Sequence, residues 1–364
     1  MKAAIYGAGE YGKAFFKGLK KGDMNIDCFI DQYTSKKIFM DLPVYKIEDI
    51  EDKELNIYIS VSLNNNLAIP DILNKNGFKN IHSFTNSLEK YPNILSELMK
   101  TNILWMREQN SEYFDYQCID SVYNLLSDKN SKQIYKDTLE FRKTLDMRYY
   151  IFPDSDLQYF PNDTNLKLNI NSLSLVDCGA YIGDTVKSAM YYASKNNIKV
   201  KSIFSFEADQ TNINKLNKEI IKQQELFPHT DFIVYLAGIW SHNTILYFSN
   251  DGNSASSICE KDTQNSIKIP VFNLDSTLQG ANPNYIKMDI EGAEQEAIKG
   301  AKELIKKLTP HLAISVYHKP KDLWEIPLLI DSINPNYDMH LRVYGHLGRE
   351  TILYCIPKDN NQNV

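Results

Sequence analysis

Three acid-bearing segments in the second half of the chain carry residue types and spacings suited to holding a cofactor and moving a proton. The first is Leu-Val-Asp-Cys-Gly-Ala-Tyr-Ile-Gly-Asp-Thr-Val over 175–186. An apolar strand ends at Asp177, a small-residue turn follows, and a helix opens at Asp184 or Thr185. Gly179, Ala180 and Gly183, with Tyr181 between them, let the backbone approach a ligand that larger side chains would block. The second segment, Lys201–Asp209, reads as a buried strand ending in Glu207-Ala208. An acid at the tip of a second strand can accept both hydroxyls of a ribose. The 179–183 turn lacks the three-glycine pattern of a pyrophosphate site. The pair therefore suits an adenosyl cofactor, S-adenosylmethionine (SAM) with S-adenosylhomocysteine (SAH) as its product, which has the ribose but no pyrophosphate.

The third segment is Asn-Tyr-Ile-Lys-Met-Asp-Ile-Glu-Gly-Ala-Glu over 284–294. A strand with Ile286, Met288 and Ile290 on one face places Lys287, Asp289 and Glu291 on the other. Three ionisable groups on one face are costly to bury unless they pair or meet a ligand. The carboxyl ends of parallel strands are where open α/β sheets bind ligands. An ion pair between Lys287 and Asp289, capped by Glu291, is the plainer alternative. His318, in Tyr-His-Lys-Pro-Lys over 317–321, is placed at the same edge, and His346 on a neighbouring hairpin. The carboxylates with a histidine could hold Mg²⁺ or Mn²⁺, but their spacing is no recognised metal motif, and no metal is assigned.

The elements that must position these residues fall into three stretches. Residues 1–88 alternate strand and helix, with strands at Lys2–Tyr6, Asp27–Ile30, Leu55–Val61 and Asn80–Phe84, which predicts a small parallel Rossmann-like unit. Its Gly7-x-Gly9-x-x-Gly12 turn, with Asp31 after the next strand, matches a dinucleotide fingerprint in outline. A nucleotide or substrate anchor and a purely structural unit are both compatible with it. Over 89–165 apolar residues recur every three or four positions, which predicts a helical connector. It ends in an aromatic, proline-broken loop over 148–161, read as a packing strap in preference to a lid. Residues 166–358 alternate again, with one helix expected over Gly292–Leu308, and make a second α/β unit.

At 364 residues the chain suggests at least two domains, and 43% hydrophobic residues supply sizeable cores. A mean hydropathy of −0.39 and the lack of a long apolar run imply no membrane span. No leader pattern is visible at the start, so a cytoplasmic protein is expected. A net charge of −6 argues against nucleic acid as partner. The five cysteines form no C-x-x-C pattern and are read as reduced. The expected partner is a small molecule or glycan precursor, and a homo-oligomer is left open.

Residues 170–357 resemble the FkbM-type SAM-dependent methyltransferases. The resemblance rests on 176–184, Phe206-Glu-Ala-Asp209, the serine-rich 252–258, Asn273-Leu-Asp-Ser-Thr-Leu278, Ile286–Glu294 and Lys299-Gly-Ala301. Two departures stand out. Ala208 replaces a common proline, and no glutamate precedes the histidine in Ile-Ser-Val-Tyr-His over 314–318. The resemblance implies a Rossmann-like methyltransferase domain and methyl transfer from SAM to oxygen, often on a sugar. The implied cofactor residues are Asp177, Gly179, Ala180, Tyr181, Gly183, Asp184, Thr185, Glu207, Ala208, Gly238 and Ser256. Asp289, Glu291 and His318 are the implied bases, and Lys287, Lys319 and His346 the acceptor-side residues. The whole-chain pattern, with Lys319–Leu329, looks like capsule-locus members, which implies a sugar or nucleotide-linked precursor of a bacterial surface polysaccharide. A precursor of a phosphoramidate-type capsule modification is the second acceptor class. An NAD-dependent oxidoreductase or a nonenzymatic SAM or nucleotide binder are the rivals. The oxidoreductase reading finds no hydride-site residues after Asp31.

Overall fold

The computed structural model describes residues 2–61, 68–101, 113–249, 257–259 and 266–358. The chain divides into two units. One gathers the residues up to Tyr113 with Lys136–Pro153 and Tyr344–Arg349; the other gathers Phe114–Tyr135, Asp154–Val343 and the residues from Glu350 onward.

The first unit is built on β1 (Ala3–Tyr6), whose four apolar residues are all buried, as expected of a central parallel strand covered on both faces. After α1 (Glu10–Lys21) come β2 (Cys28–Ile30), β3 (Ile38–Phe39), β4 (Leu42–Tyr45) and β5 (Asn56–Ile59). Helix α2 (Ala68–Lys75) and β6 (Asn80–His82) complete a sheet of order β3-β4-β2-β1-β5-β6. The β3–β4 hairpin was not legible as strands, because its two-residue arm is short and exposed. Helices α3 (Phe84–Lys90) and α4 (Pro92–Leu98) also belong here.

The helical connector does not stand as a layer of its own. Helix α5 (Tyr116–Leu125) falls in the second unit, and α6 (Lys129–Thr144) runs from the second unit into the first.

In the second unit β7 (Ser172–Cys178), α7 (Asp184–Lys195), β8 (Lys199–Glu207), α8 (Gln210–Leu226) and β9 (Asp231–Leu236) form one parallel half of a sheet. The next strands are β10 (Gly238–Ile239), β11 (Thr244–Ser249), β12 (Ser257–Cys259) and β13 (Ser266–Phe272), which make a separate four-stranded sheet. The single strand expected over Phe232–Ile239 is therefore two. Ala237 N–H caps the first on the Glu207 carbonyl, and Gly238 then pairs with Val271.

The chain returns through α9 (Leu274–Thr277), β14 (Tyr285–Met288), α10 (Glu294–Lys299), α11 (Lys302–Leu308), β15 (His311–Ser315), α12 (Asp322–Ile333), β16 (Tyr337–Val343) and β17 (Thr351–Pro357). The strand order is β16-β17-β15-β14-β7-β8-β9, parallel except for β17. The helix expected over Gly292–Leu308 breaks at Gly300. A Cβ there would lie 2.1 Å from the Trp240 carbonyl oxygen. The Gly300 carbonyl accepts from Asp275 N–H, and the Asp275 carboxylate caps Glu303 and Leu304 at the start of α11. Both local devices favour ending one helix and starting another.

Strand order runs away in both directions from the β7/β14 pair. Such a switch point opens a crevice at the carboxyl ends of the strands.

Candidate active site at the β7–β14 strand ends

Asp177 and Lys287 occupy partner positions on β7 and β14, which places their side chains next to each other across the ladder. Lys287 Nζ stands 3.1 Å from Asp177 Oδ1, and the two side chains are 3% and 0% exposed. The ammonium also donates to the Gly179 carbonyl at 2.7 Å. Burial raises the pKa of Asp177 while Lys287 opposes that rise. For Lys287 burial acts against the charge, but the carboxylates of Asp177, Asp289 and Asp184 outweigh it and push its pKa up. Lys287, expected on the acceptor side, is thus an internal brace between strand and turn, and its partner is Asp177, not Asp289.

The turn after β7 is held from the next strand. Gly179 and Ala180 both donate to the Phe206 carbonyl at 2.9 Å. Gly179 has φ +85°, and a Cβ on it would lie 2.0 Å from the Asp289 carbonyl oxygen. Gly179→Ala should therefore cost about 2–4 kcal/mol, combining a left-handed backbone with a backbone clash. Urea unfolding reads this directly, and a variant as stable as the parent would refute the close approach.

Glu207 ends β8 and is 8% exposed. Its Oε2 accepts Tyr181 N–H and its Oε1 accepts Asp209 N–H, each at 2.8 Å. Burial raises its pKa, against the lowering effect of these amides. A carboxylate has about four acceptor positions; the Tyr181 and Asp209 amides and the Asn212 side chain engage three of them and leave one. Tyr181 is exposed at the turn and takes φ +46°. Gly183, in the left-handed region, caps α7, whose first turn holds exposed Asp184 and buried Thr185. Ala208 packs with the Phe248–Ile269–Val271 cluster, and Gly238 lies buried in β10. Ser256 lies outside the described residues.

A second group assembles where β14 and β15 end. His318 Nδ1 and Glu294 Oε1 are 2.9 Å apart, and the same carboxylate oxygen accepts Ile290 N–H. His318 Nε2 stands 3.4 Å from Asp289 Oδ1 and 3.6 Å from Glu291 Oε2. Asp289 also accepts Tyr159 Oη at 2.8 Å and Tyr317 Oη at 3.3 Å. Tyr317 Oη also stands 3.2 Å from Glu350 Oε1, so its one proton serves either carboxylate, and Gln158 Nε2 donates to Glu350. Burial acts against a charged His318, but Glu294, Asp289 and Glu291 outweigh it and raise its pKa to about 10. Burial pushes Glu291 up to about 7. Asp289 is held below the usual carboxylate range: burial opposes this, but His318 and Lys287 prevail. Asp289, Glu294 and His318 have ligand atoms all within 4.8 Å of one another, and so could hold a metal ion.

Glu294, Tyr159, Tyr317, Gln158 and Glu350 were not among the expected site residues. Glu294 had a signal, as the last acid of the Glu-Gly-Ala-Glu run. Tyr159 had none in spacing, since it lies 130 positions before Asp289. Lys319 is exposed, with its ammonium on the Gly292 carbonyl.

The remaining candidates lie in the first unit. His346 Nδ1 is 2.7 Å from Tyr150 Oη and its ring is 5.1 Å from Phe84; burial lowers its pKa to about 4. Asp31 accepts the N–H groups of Ala8, Tyr33 and Thr34, each at 2.9 Å. In that position it ties the Gly7–Gly12 turn to its own loop, with most of its acceptor capacity already engaged.

Comparison with known proteins agrees with this architecture. Residues 177–346 match the family model of the methyltransferase FkbM domain. Among solved structures the chain is similar to a methyltransferase FkbM from Methylobacillus flagellatus KT, at 21% identity and a TM-score of 0.63, over 98% of this chain and 90% of that one. An rRNA methylase from Streptococcus thermophilus is 12% identical with a TM-score of 0.33, over 52% of this chain and 88% of that one, and carries no weight for the fold. No curated protein matches the chain. Among the described residues no helix is long and apolar enough to cross a membrane. The glycine turn, the acid-tipped second strand and the acid–histidine strand end thus all sit inside residues 177–346, the stretch that matches the methyltransferase FkbM domain.

Proposed function

We propose that the chain is a SAM-dependent O-methyltransferase whose acceptor is a sugar or nucleotide-linked precursor of a bacterial surface polysaccharide. The observation that carries the reading is the placement of two distinct groups at the carboxyl ends of one sheet. Glu207 and the Gly179 turn line one side of the switch point, and Asp289, Glu291 and His318 line the other.

The residues on the first side fit the cofactor. Glu207 retains an acceptor position for a ribose hydroxyl, and the Gly179 turn keeps clear the space that a side chain would occupy. SAM, when bound, supplies a methyl group on a sulfonium, from which a neutral thioether is a good leaving group. The protein then has to align acceptor oxygen, methyl carbon and sulfur. The Asp289–Glu291–His318 group would take up the acceptor's hydroxyl proton in that transfer. Tyr159 and Tyr317 fix the Asp289 carboxylate in place for this. Asp177, Asp184 and Thr185 support the turn and the helix behind it.

Glu207→Gln separates the cofactor from the rest of the site. The amide keeps the size but turns one acceptor oxygen into a donor. A charge-assisted hydrogen bond lost to a ribose is worth about 1.5–3 kcal/mol, so SAH affinity should fall roughly 10- to 150-fold. Calorimetry that finds unchanged SAH affinity in the folded variant removes Glu207 from the cofactor site.

A further inference from the structure

We infer that the end of β14 is a divalent-cation site, with His318 Nε2 and Asp289 as inner ligands, Glu291 closing the set, and Glu294 orienting the imidazole from behind. Its role toward the acceptor rests on the methyl-transfer reading above; its geometry does not.

The first observation is an orphaned atom. The His318 side chain is 7% exposed, and among the described residues Nε2 has no hydrogen-bond partner, although it stands within 3.6 Å of two carboxylates. A buried ring nitrogen left in this state is costly unless something occupies the space in front of it. The second observation is the contact behind it. Glu294 Oε1 pairs with Nδ1 at 2.9 Å, and that carboxylate is itself fixed by Ile290 N–H at 2.8 Å. A carboxylate on the rear nitrogen sets the tautomer and frees the front nitrogen to ligate, as the outer partners of metal-bound histidines do.

The distances agree with a shared ion. For bonds of about 2.1 Å, two ligand atoms stand roughly 3.0 Å apart at a right angle and roughly 3.4 Å apart at a tetrahedral one. The observed separations from Nε2 are 3.4 Å to Asp289 Oδ1 and 3.6 Å to Glu291 Oε2. Glu291 has 39% of its side chain exposed, so a rotation brings it in without disturbing the core. Asp289 has about four acceptor positions, and the hydroxyls of Tyr159, Tyr317 and Ser315 approach it, which leaves one for an ion.

Charge points the same way. Three carboxylates, Asp289, Glu291 and Glu294, surround one imidazole, and a divalent cation offsets two of their charges where a single imidazolium offsets one. One imidazole with two carboxylates, and positions left open for water or substrate, suits a hard or borderline ion of the Mn²⁺ or Mg²⁺ class. Such an ion would bind the acceptor hydroxyl and favour its loss of a proton, which leaves to a Glu291 oxygen that the ion does not engage.

The test is Mn²⁺ binding to the metal-stripped full chain, read by calorimetry and by the electron paramagnetic resonance of the bound ion, with SAH affinity measured alongside. One Mn²⁺ per chain is expected. Glu291→Gln should weaken it at least about 10-fold, and His318→Gln should abolish it. Glu294→Gln should weaken it about 10- to 100-fold, as loss of an outer partner does. Competition with Mg²⁺ and Zn²⁺ ranks the ions. A resonance of free aqueous Mn²⁺ only, or an unchanged affinity in folded Glu291→Gln and His318→Gln, overturns the site. SAH binding without Mn²⁺ binding overturns the cation and spares the methyltransferase reading. Mn²⁺ binding without SAH binding does the reverse.

Discussion

Asp289→Asn is expected to lower turnover by about 10²–10⁴-fold while leaving SAH affinity within a factor of about three, the size of effect typical for loss of a positioned acid–base group. The substitution keeps the volume of the side chain and removes its charge. One oxygen of Asp289 now accepts from the Tyr159 hydroxyl at 2.8 Å, and the other stands 3.3 Å from the Tyr317 hydroxyl, which it shares with Glu350. The asparagine oxygen can still accept one of them, but its NH₂ then faces the other hydroxyl. A local cost of about 1–3 kcal/mol in stability follows. Turnover must therefore be measured at a temperature where thermal melting shows the variant fully folded. A fall confined to kcat, with KM for SAM unchanged, assigns Asp289 to the acceptor side. A variant that loses SAH binding but turns over normally at saturating SAM moves Asp289 into the cofactor site and overturns the assignment.

What the amino-acid sequence reveals, and what it hides, follows from how far each feature depends on distant chain. The 175–186 turn and the strand ending at Glu207 are local: apolar runs, small residues and a terminal acid specify them, and both elements are present as β7, α7 and β8. The acid–histidine group is only half local. Alternation along 284–291 puts Lys287, Asp289 and Glu291 on one face, yet the structure gives them different partners. Lys287 sits directly across from Asp177 in the β7–β14 register, a pairing that no spacing along β14 encodes. Tyr159 and Glu350 reach the Asp289–Tyr317 pair from segments on either side of it in sequence, so only tertiary packing reveals them. The break at Gly300 was hidden for a similar reason. Its cause is the Trp240 carbonyl and the Asp275 cap, neither of them in the helical pattern itself. In the first unit the glycine fingerprint was legible as a strand, turn and helix. The engagement of Asp31 by three backbone amides was not.

The largest expected effect on stability comes from the Asp177–Lys287 pair. Lys287→Met keeps the length of the side chain and removes the ammonium, leaving the Asp177 carboxylate with 0% of its side chain exposed and no cation beside it. Breaking a buried pair from one side costs about 3–5 kcal/mol, more than most single substitutions. The Gly179 carbonyl also loses its 2.7 Å donor, so SAH affinity should fall together with stability. Replacing both partners, Asp177→Leu with Lys287→Met, removes the stranded charge and should recover most of the loss. Urea unfolding of the parent, both single variants and the double variant supplies the coupling energy, and the slopes show whether unfolding stays two-state. The pH dependence provides an independent check with a fixed sign. In Lys287→Met, burial without the ammonium holds the folded-state pKa of Asp177 above its unfolded value of about 3.9. Its deficit against the parent should then be smallest in acid and grow as pH rises through the folded-state pKa, because the folded form must carry an uncompensated charge. A deficit that is the same at every pH, or a double variant no more stable than Lys287→Met, would show that the lysine stabilises the sheet by packing and not by neutralising Asp177.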